Sequence, residues 1–120
     1  MSPINIAHII DCIGPSADLI QKLIDHLLVT VPEHTATIEK AIASGDAVTL
    51  QRTSHTLKGS LSYLKAEGAL ALVRALEQAG RDDRIADAVP LLEAFRAEAA
   101  DILDYLRSGE WKEEINGKSD

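Results

Sequence analysis

The strongest constraint on the fold is the spacing of apolar residues near the end of the chain. From Ile85 to Leu106 they recur at alternating intervals of three and four residues, which places them in one seam of a bundle helix. The residues of this seam are Ile85, Ala88, Leu92, Phe95, Ala99, Ile102 and Leu106. Aromatic residues are only 3% of the chain while hydrophobic residues are 46%, a balance that favours packed helices over sheets.

One short segment, followed by three long ones, also carries apolar residues at helical spacing. They contain Ile6, Ile9, Ile10 and Ile13; Leu19, Ile20, Leu23, Ile24, Leu27, Val31, Ile38 and Ile42; Leu50, Leu57, Leu61 and Leu64; and Leu72, Val73 and Leu76. Because short turns join the long segments, successive helices run antiparallel. The sequence therefore predicts an all-α fold, an antiparallel four-helix bundle with a short additional N-terminal helix.

We expect a single domain over residues 1–120, with the bundle core at about 16–108. The short first helix is expected to begin near Ser2 and Pro3, since proline favours the first helical position. The polar C-terminal tail, residues 109–120, is expected to fray unless Trp111 folds back onto the bundle.

Local signals also predict several helix ends. Gly45 is expected to take the left-handed cap of the second helix and Asp46 to cap the third, which should run to about Lys65. The last helix is expected to be capped by Asp82 or Asp83. In addition, Pro32 predicts a kink or a short break in the second helix, and Pro90 only a slight bend in the last.

Charge and composition argue against several functions. The net charge of -7 argues against nucleic acid or an anionic membrane surface as a partner. No uncharged apolar run approaches the roughly 20 residues that span a bilayer. Cys12, the single cysteine, excludes an intramolecular disulfide, suits a reducing compartment and is expected in the core. We therefore expect a cytoplasmic monomer with no membrane association.

The segment SHTLKGSLSYL, from Ser54 to Leu64, carries the candidate site. On a helical wheel the leucines of this helix cluster about 150° from His55. Since the leucines must face the core, His55 is expected to face solvent within a polar patch. The other members of this patch are Gln51, Arg52, Lys58, Gly59 and Ser62.

Gly59 and Lys58 make this patch unusual. A glycine inside a helix costs about 0.8–1 kcal/mol relative to alanine. One turn after His55, it removes the side chain that would stand beside the imidazole, and so gives another protein's active site access to a ring nitrogen. The cation of Lys58 suits a phosphoryl group bound to that nitrogen. The alternatives are a surface histidine, a solubilising lysine and a glycine that permits close helix packing.

At these residues the sequence resembles a known family. SHTLKGS is similar to the signature of histidine-containing phosphotransfer (HPt) domains, His-x-Leu-Lys-Gly-Ser, and the flanking segments AIASGD and LVRALEQAGR extend the resemblance. It implies an antiparallel four-helix bundle in which His55 is phosphorylated, Lys58 assists the phosphoryl group and Gly59 admits a receiver domain. Such domains often have glycine where this chain has Lys65, so its turn is expected to use Gly68 instead.

The resemblance thus implies a phosphorelay intermediate. His55 would take a phosphoryl group through Nε2 from an aspartate of one response-regulator receiver domain and pass it to another. Gln51, Arg52 and Ser62 are candidate contacts to the partner. A sensor or hybrid histidine kinase would stand upstream. No cofactor is expected in the chain itself, and Mg²⁺ should come from the receiver.

Other functions remain open. The chain has no glycine-rich nucleotide loop, so we expect a phosphoryl carrier and not an autonomous kinase. One alternative is the phosphoacceptor domain of a chemotaxis-type kinase, phosphorylated by a separate catalytic domain. Another is a helical adaptor that is never phosphorylated. His8, His26 and His34 lack partners at metal-ligand spacing, so no metal site is expected.

Overall fold

The computed structural model describes residues 3–119, with side chains described for residues 3–115. This part of the chain folds entirely into helices and turns, as predicted. The helices are α1 (Ile6–Ile13), α2 (Ala17–Ser44), α3 (Ala47–Ser62), α4 (Glu67–Arg81), α5 (Ile85–Ser108) and α6 (Glu110–Ser119).

Helices α2 to α5 form the predicted bundle. α2 packs on α3, α3 on α4, α4 on α5, and α5 again on α2, which closes the ring. The turns at residues 45–46, 63–66 and 82–84 are short, so successive helices run antiparallel. The predicted seam of α5 faces the core, with Ala88, Leu92, Phe95, Ala99, Ile102 and Leu106 buried and Ile85 half-buried.

The tail forms a helix over residues 110–119 and is not frayed, because Trp111 folds back onto the bundle, the alternative that the sequence left open. Trp111 is 1% exposed, and its Nε1 donates to the carbonyl oxygen of Leu106 at 3.1 Å. Ile115, one turn later, is also buried. Burial of these two apolar side chains stabilises a segment whose composition is otherwise polar.

The short first helix begins later than predicted. Asn5 caps α1 by accepting a hydrogen bond from the backbone N–H of His8, whereas Ser2 lies outside the described residues. Ile6 and Ile9 are buried, as expected from their spacing. Cys12, however, is exposed, because it lies off the helical stripe that its apolar neighbours define.

The cap predictions for the turn between α2 and α3 are confirmed. Gly45 has a φ of 71°, and the side chain of Asp46 accepts from the N–H of Thr49 at 3.0 Å. The prediction for α5 is wrong, since Arg84 stands at its N-cap position and makes no side-chain cap. Asp83 lies too early in the turn to cap it, with a φ of 54°.

The structure also tests the possible break at Pro32 and the expected turn at Gly68. α2 continues as one helix through Pro32, so no break occurs there. α3 ends at Ser62, and Lys65 in the following turn has a φ of 49°, a left-handed conformation that glycine adopts most easily. Gly68 lies within α4 and does not build the turn.

Over the described residues, no helix is long and apolar enough to cross a membrane.

Candidate functional site

The two faces of α3 separate the core from the candidate site. Leu50, Ser54, Leu57 and Leu61 are buried on one face. His55 lies on the other, with 68% of its side chain exposed, as the helical wheel predicts. The packing of the leucines therefore fixes where the imidazole emerges from the bundle.

A buried carboxylate on α4 binds two residues of the predicted patch. The side chain of Glu77 is only 6% exposed. Its Oε2 lies 2.7 Å from Nδ1 of His55, and its Oε1 accepts a hydrogen bond from Nζ of Lys58 at 2.7 Å. Nη2 of Arg81, one turn further along α4, lies 3.6 Å from Oε2. The cluster thus joins α3 to α4.

The neighbouring cation keeps this carboxylate ionised. The hydrogen bond from Lys58 lowers the pKa of Glu77 below its ordinary value of 4.5, and the hydrogen bond to His55 adds to this effect. Burial acts in the opposite direction and raises the pKa, but its effect is outweighed. At neutral pH Glu77 is therefore an anion, which can accept hydrogen bonds but cannot donate one.

The charge of Glu77 determines the tautomer of His55. Because the carboxylate only accepts, Nδ1 of the imidazole must carry the proton of their hydrogen bond. In the neutral ring this leaves the lone pair on Nε2. The arrangement therefore presents an exposed imidazole on a rigid helix, with Nε2 as its nucleophilic nitrogen.

Gly80 allows α3 and α4 to approach closely beside this cluster. A Cβ atom at Gly80 would lie 2.7 Å from the backbone N of Gln51 and 2.9 Å from the carbonyl oxygen of Ala47. Gly80 follows Glu77 by about one turn, and Gln51 precedes His55 by about one turn. The close contact therefore lies next to the hydrogen bond between His55 and Glu77.

Gly59 has the opposite surroundings. A Cβ atom there would have no atom of the described residues within 4 Å, and the residue is exposed. Close helix packing, one of the alternatives for this glycine, is therefore excluded. Open space beside the imidazole is what the access hypothesis requires.

The remaining predicted residues divide between two grooves. Gln51 and Arg52 line a cleft between α3 and α4 together with His55, Thr56, Glu77 and Arg81. Ser62 lies in a second groove with Gly59, and its hydroxyl donates to the carbonyl oxygen of Lys58 at 2.8 Å. The structure thus brings Gln51 and Arg52 to the imidazole and places Ser62 further along α3.

Glu77 and Arg81 were not among the predicted site residues. A signal for Glu77 was present, because it continues the apolar stripe of Leu70, Val73 and Gly80 at intervals of four and three residues. An acidic residue in a buried stripe needs a polar partner from another helix. The sequence does not say which helix supplies it.

Among the described residues, no group of three or more His, Cys, Asp or Glu side chains could hold a metal ion.

Comparison with known proteins adds one match. The family model described as "Hpt domain" matches residues 22–109, from the second turn of α2 to the end of α5. The matched range includes His55, Lys58, Gly59 and Glu77. No curated protein and no solved structure matches the chain.

Proposed function

The chain belongs to the Hpt domain family, and from this premise we propose that it is a phosphorelay intermediate whose phosphoacceptor is His55. Hpt domains act in phosphotransfer within two-component signalling, as carriers that interact with receiver domains and histidine kinases. The proposal adds the residues of this chain that carry out the transfer and the order of its partners, one receiver as donor and another as acceptor.

The hydrogen bond between Glu77 and Nδ1 of His55 is the observation that supports this proposal most directly. In the transfer step, the Nε2 lone pair attacks the phosphorus of a receiver's aspartyl phosphate. The bond from Nε2 to phosphorus forms while the bond from phosphorus to the aspartate oxygen breaks, and the aspartate leaves as a carboxylate. The imidazole becomes a cation that keeps its Nδ1 proton, facing the carboxylate of Glu77. Transfer to the second receiver reverses these steps.

Lys58 acts in this mechanism first through Glu77. Its side chain is 30% exposed and its ammonium group is hydrogen-bonded to Oε1 of Glu77, so it keeps the carboxylate ionised while the side chain remains partly open to a partner. Its charge also suits a phosphoryl group on the neighbouring histidine. Mg²⁺ and the acidic pocket around the reactive aspartate are assigned to the receiver, because the carrier supplies only the nucleophile and its immediate supports.

Gly59 and the cleft residues complete the proposed site. The open space at Gly59 lets the receiver bring its aspartyl phosphate to the ring. Gln51 and Arg52 line the cleft beside His55 and are assigned to partner contact. Ser62, two helical turns after His55 on α3, is assigned to the same role. Substitutions at these three positions should weaken receiver binding more than they change thermal stability.

Phosphotransfer from isolated partners tests the proposal. A receiver domain loaded by an acyl phosphate should transfer phosphate to the chain, giving an acid-labile, base-stable product that the matched variant His55→Gln does not form. ATP alone should give no product. Label from a kinase catalytic domain but from no receiver would instead favour the chemotaxis-type alternative. If no partner phosphorylates His55, the chain is a binding adaptor.

A further inference from the structure

Helix α1 carries a histidine and a cysteine that the proposed function does not use. Nε2 of His8 lies 3.6 Å from Sγ of Cys12, one turn later on the same helix. Cys12 is exposed and His8 is half-buried. Both side chains line the second groove, together with Gly59, Ser62 and Tyr63 at the end of α3. The pair is therefore open to a ligand from solvent.

The two side chains are of the kinds that zinc prefers. Imidazole nitrogen and thiolate sulfur are common ligands of protein zinc sites. Two ligands four residues apart lie on one face of a helix, and histidines at this spacing bind zinc in metalloproteases. The sequence-based expectation of no metal site treated His8 as unpaired, whereas Cys12 follows it at this same spacing. The pair is therefore a candidate for metal binding.

The distance between the two atoms matches the geometry of a tetrahedral zinc site. With a Zn–N bond of about 2.0–2.1 Å and a Zn–S bond of about 2.3 Å, tetrahedral angles place nitrogen and sulfur about 3.5–3.6 Å apart. The observed distance of 3.6 Å therefore lets one ion bind both atoms without a change in the helix. In the metal-free chain the same distance suits a hydrogen bond between thiol and imidazole, and the ion would take the place of its proton.

Helix α1 is held in place by contacts that do not use the side chains of the pair. Ile6 and Ile9 are buried in the core. The backbone N of Asn5 donates to the carbonyl oxygen of Leu64 at 2.8 Å, and Oδ1 of Asn5 accepts from the backbone N–H of His8 at 2.9 Å. The two ligands are thus preorganised, so metal binding costs little further ordering of the helix.

One chain supplies only half of the ligands that a closed zinc site needs. Structural zinc sites are four-coordinate, but among the described residues no group of three or more His, Cys, Asp or Glu side chains could hold a metal ion. No Asp, Glu, Lys or Arg lines the groove, so no carboxylate completes the site and no cation repels the ion. A two-fold axis through the ion would map the edge between His8 and Cys12 onto the opposite edge of the tetrahedron. A second copy of the chain can therefore supply the missing pair.

We propose that His8 and Cys12 form half of a zinc site, which a second copy of the chain completes to two imidazoles and two thiolates. Each histidine binds the ion through Nε2. Each thiol gives its proton to the buffer as its sulfur binds, so two protons are released per zinc ion. The chain is then a monomer without zinc and a dimer with it. The proposal is independent of the proposed function, because it uses neither His55 nor Glu77.

Cobalt substitution tests the site in the unaltered chain. Co²⁺ takes the tetrahedral ligands of Zn²⁺, and its bond to a thiolate gives a charge-transfer absorption band in the near ultraviolet. Because Cys12 is the single cysteine, such a band can come only from this residue. Titration of the reduced, metal-free chain should saturate at one ion per two chains, and the mass measured by sedimentation equilibrium should double. Zn²⁺ should displace Co²⁺, and EDTA should restore the monomer.

Substitutions of the two ligands provide the second measurement. Cys12→Ser should lose both the band and the dimer. His8→Gln should weaken Co²⁺ binding by about tenfold or more, since loss even of a residue that only supports a metal ligand costs about 10–100-fold. His26→Gln, at an exposed histidine of α2, is the matched control and should bind and dimerise normally. Circular dichroism checks that the variants keep their helices, and protection of Cys12 from a maleimide by Zn²⁺ needs no variant.

Three results would overturn the proposal. If neither the thiolate band nor protection by Zn²⁺ is seen, His8 and Cys12 are only hydrogen-bonded to each other. Saturation at one ion per chain, with the mass of a monomer, would mean that water completes the coordination in place of a second copy. A dimer that survives EDTA, or that forms equally in the Cys12→Ser variant, would come from a disulfide or from other histidines. None of these results depends on phosphotransfer, so each leaves the proposed function standing.

Discussion

Two glycines on adjacent helices of the bundle face entirely different surroundings. A side chain at Gly80 on α4 would collide with the backbone of α3, where a Cβ atom would lie 2.7 Å from the N of Gln51. A Cβ atom at Gly59 on α3 would have no neighbour within 4 Å in the described part of the chain. Both positions lie inside helices, where glycine costs about 0.8–1 kcal/mol relative to alanine. Glycine therefore occupies these two helical positions for two different physical reasons.

Gly80 lies on the buried side of the site, and Gly59 lies on its solvent-exposed side. Gly80 serves the fold, since it lets α3 and α4 approach closely beside the hydrogen bond between His55 and Glu77. Gly59 is not required by packing, and in the proposed function the open space beside it admits the receiver. A substitution at Gly80 should therefore affect mainly stability, and a bulky substitution at Gly59 should affect mainly phosphotransfer.

The largest expected effect is on stability at Gly80. Gly80→Ala should lower the free energy of unfolding by about 1–2 kcal/mol, because overpacking of about 1–3 kcal/mol exceeds the gain in helix propensity. The matched variant Gly59→Ala should raise that free energy by up to about 1 kcal/mol. Urea denaturation followed by circular dichroism measures both. Equal changes at the two positions would show that the close approach of α3 and α4 is not rigid.

The next effect is on function at Gly59. Gly59→Gln should leave the thermal unfolding temperature nearly unchanged but slow phosphotransfer from a receiver by about tenfold or more, equivalent to about 1.4 kcal/mol. The glutamine side chain would stand in the space that the partner needs. Gly59→Ala serves as the control, with a smaller side chain at the same place. Normal transfer by a folded Gly59→Gln protein contradicts the access hypothesis.

A smaller effect, on the free energy of unfolding, is expected at acidic pH, where Glu77 becomes protonated. Since its pKa in the folded protein lies below the ordinary 4.5, its contribution to stability is complete above pH 4.5 and is lost as the pH falls through the folded value. Hydrogen bonds to a charged group of this kind contribute about 1 kcal/mol after allowance for the exposed partners. The excess stability of the wild type over Glu77→Gln should therefore decline below pH 4.5. An excess that is constant down to pH 2 would contradict the assigned pKa.

The same Glu77→Gln variant tests the tautomer. Nitrogen NMR of His55 at a pH where the ring is neutral should show the proton on Nδ1 in the wild type and a mixture of tautomers in the variant. Glu67→Gln, at an exposed glutamate of the same helix, is a matched control that should leave the spectrum unchanged. A spectrum with the proton on Nε2 in the wild type would contradict the proposed nucleophile.

The smallest effect is expected at Lys58. Lys58→Ala should slow phosphotransfer by about two- to fivefold, the range for a partly exposed ion pair of about 0.5–1 kcal/mol. Helical content measured by circular dichroism should not change, because the lysine holds Glu77 and does not pack in the core. Lys40→Ala, at an exposed lysine of α2, is the control. An unchanged rate would mean that Lys58 does not contribute to phosphotransfer.

Much of the site could be predicted because it depends on a single helix. The helical periodicity of α3 places Leu57 and Leu61 on the core face and His55 on the exposed face, and this follows from the geometry of α3 alone. Glu77 was missed because its partners lie 19 and 22 positions earlier in the chain, at Lys58 and His55. The acidic residue in the buried stripe of α4 was visible, but its partners depend on how α4 packs against α3.

The sequence by itself determined the periodic elements of this protein: the seams of the helices, their antiparallel order, the caps at Gly45 and Asp46, and the exposed imidazole at His55. Each follows from interactions between residues a few positions apart, which the spacing of apolar and capping residues encodes. The tertiary structure alone decided the tautomer of His55, the close approach at Gly80 and the helical tail around Trp111. These depend on distances between segments far apart in the chain, and such distances are set only when the helices pack.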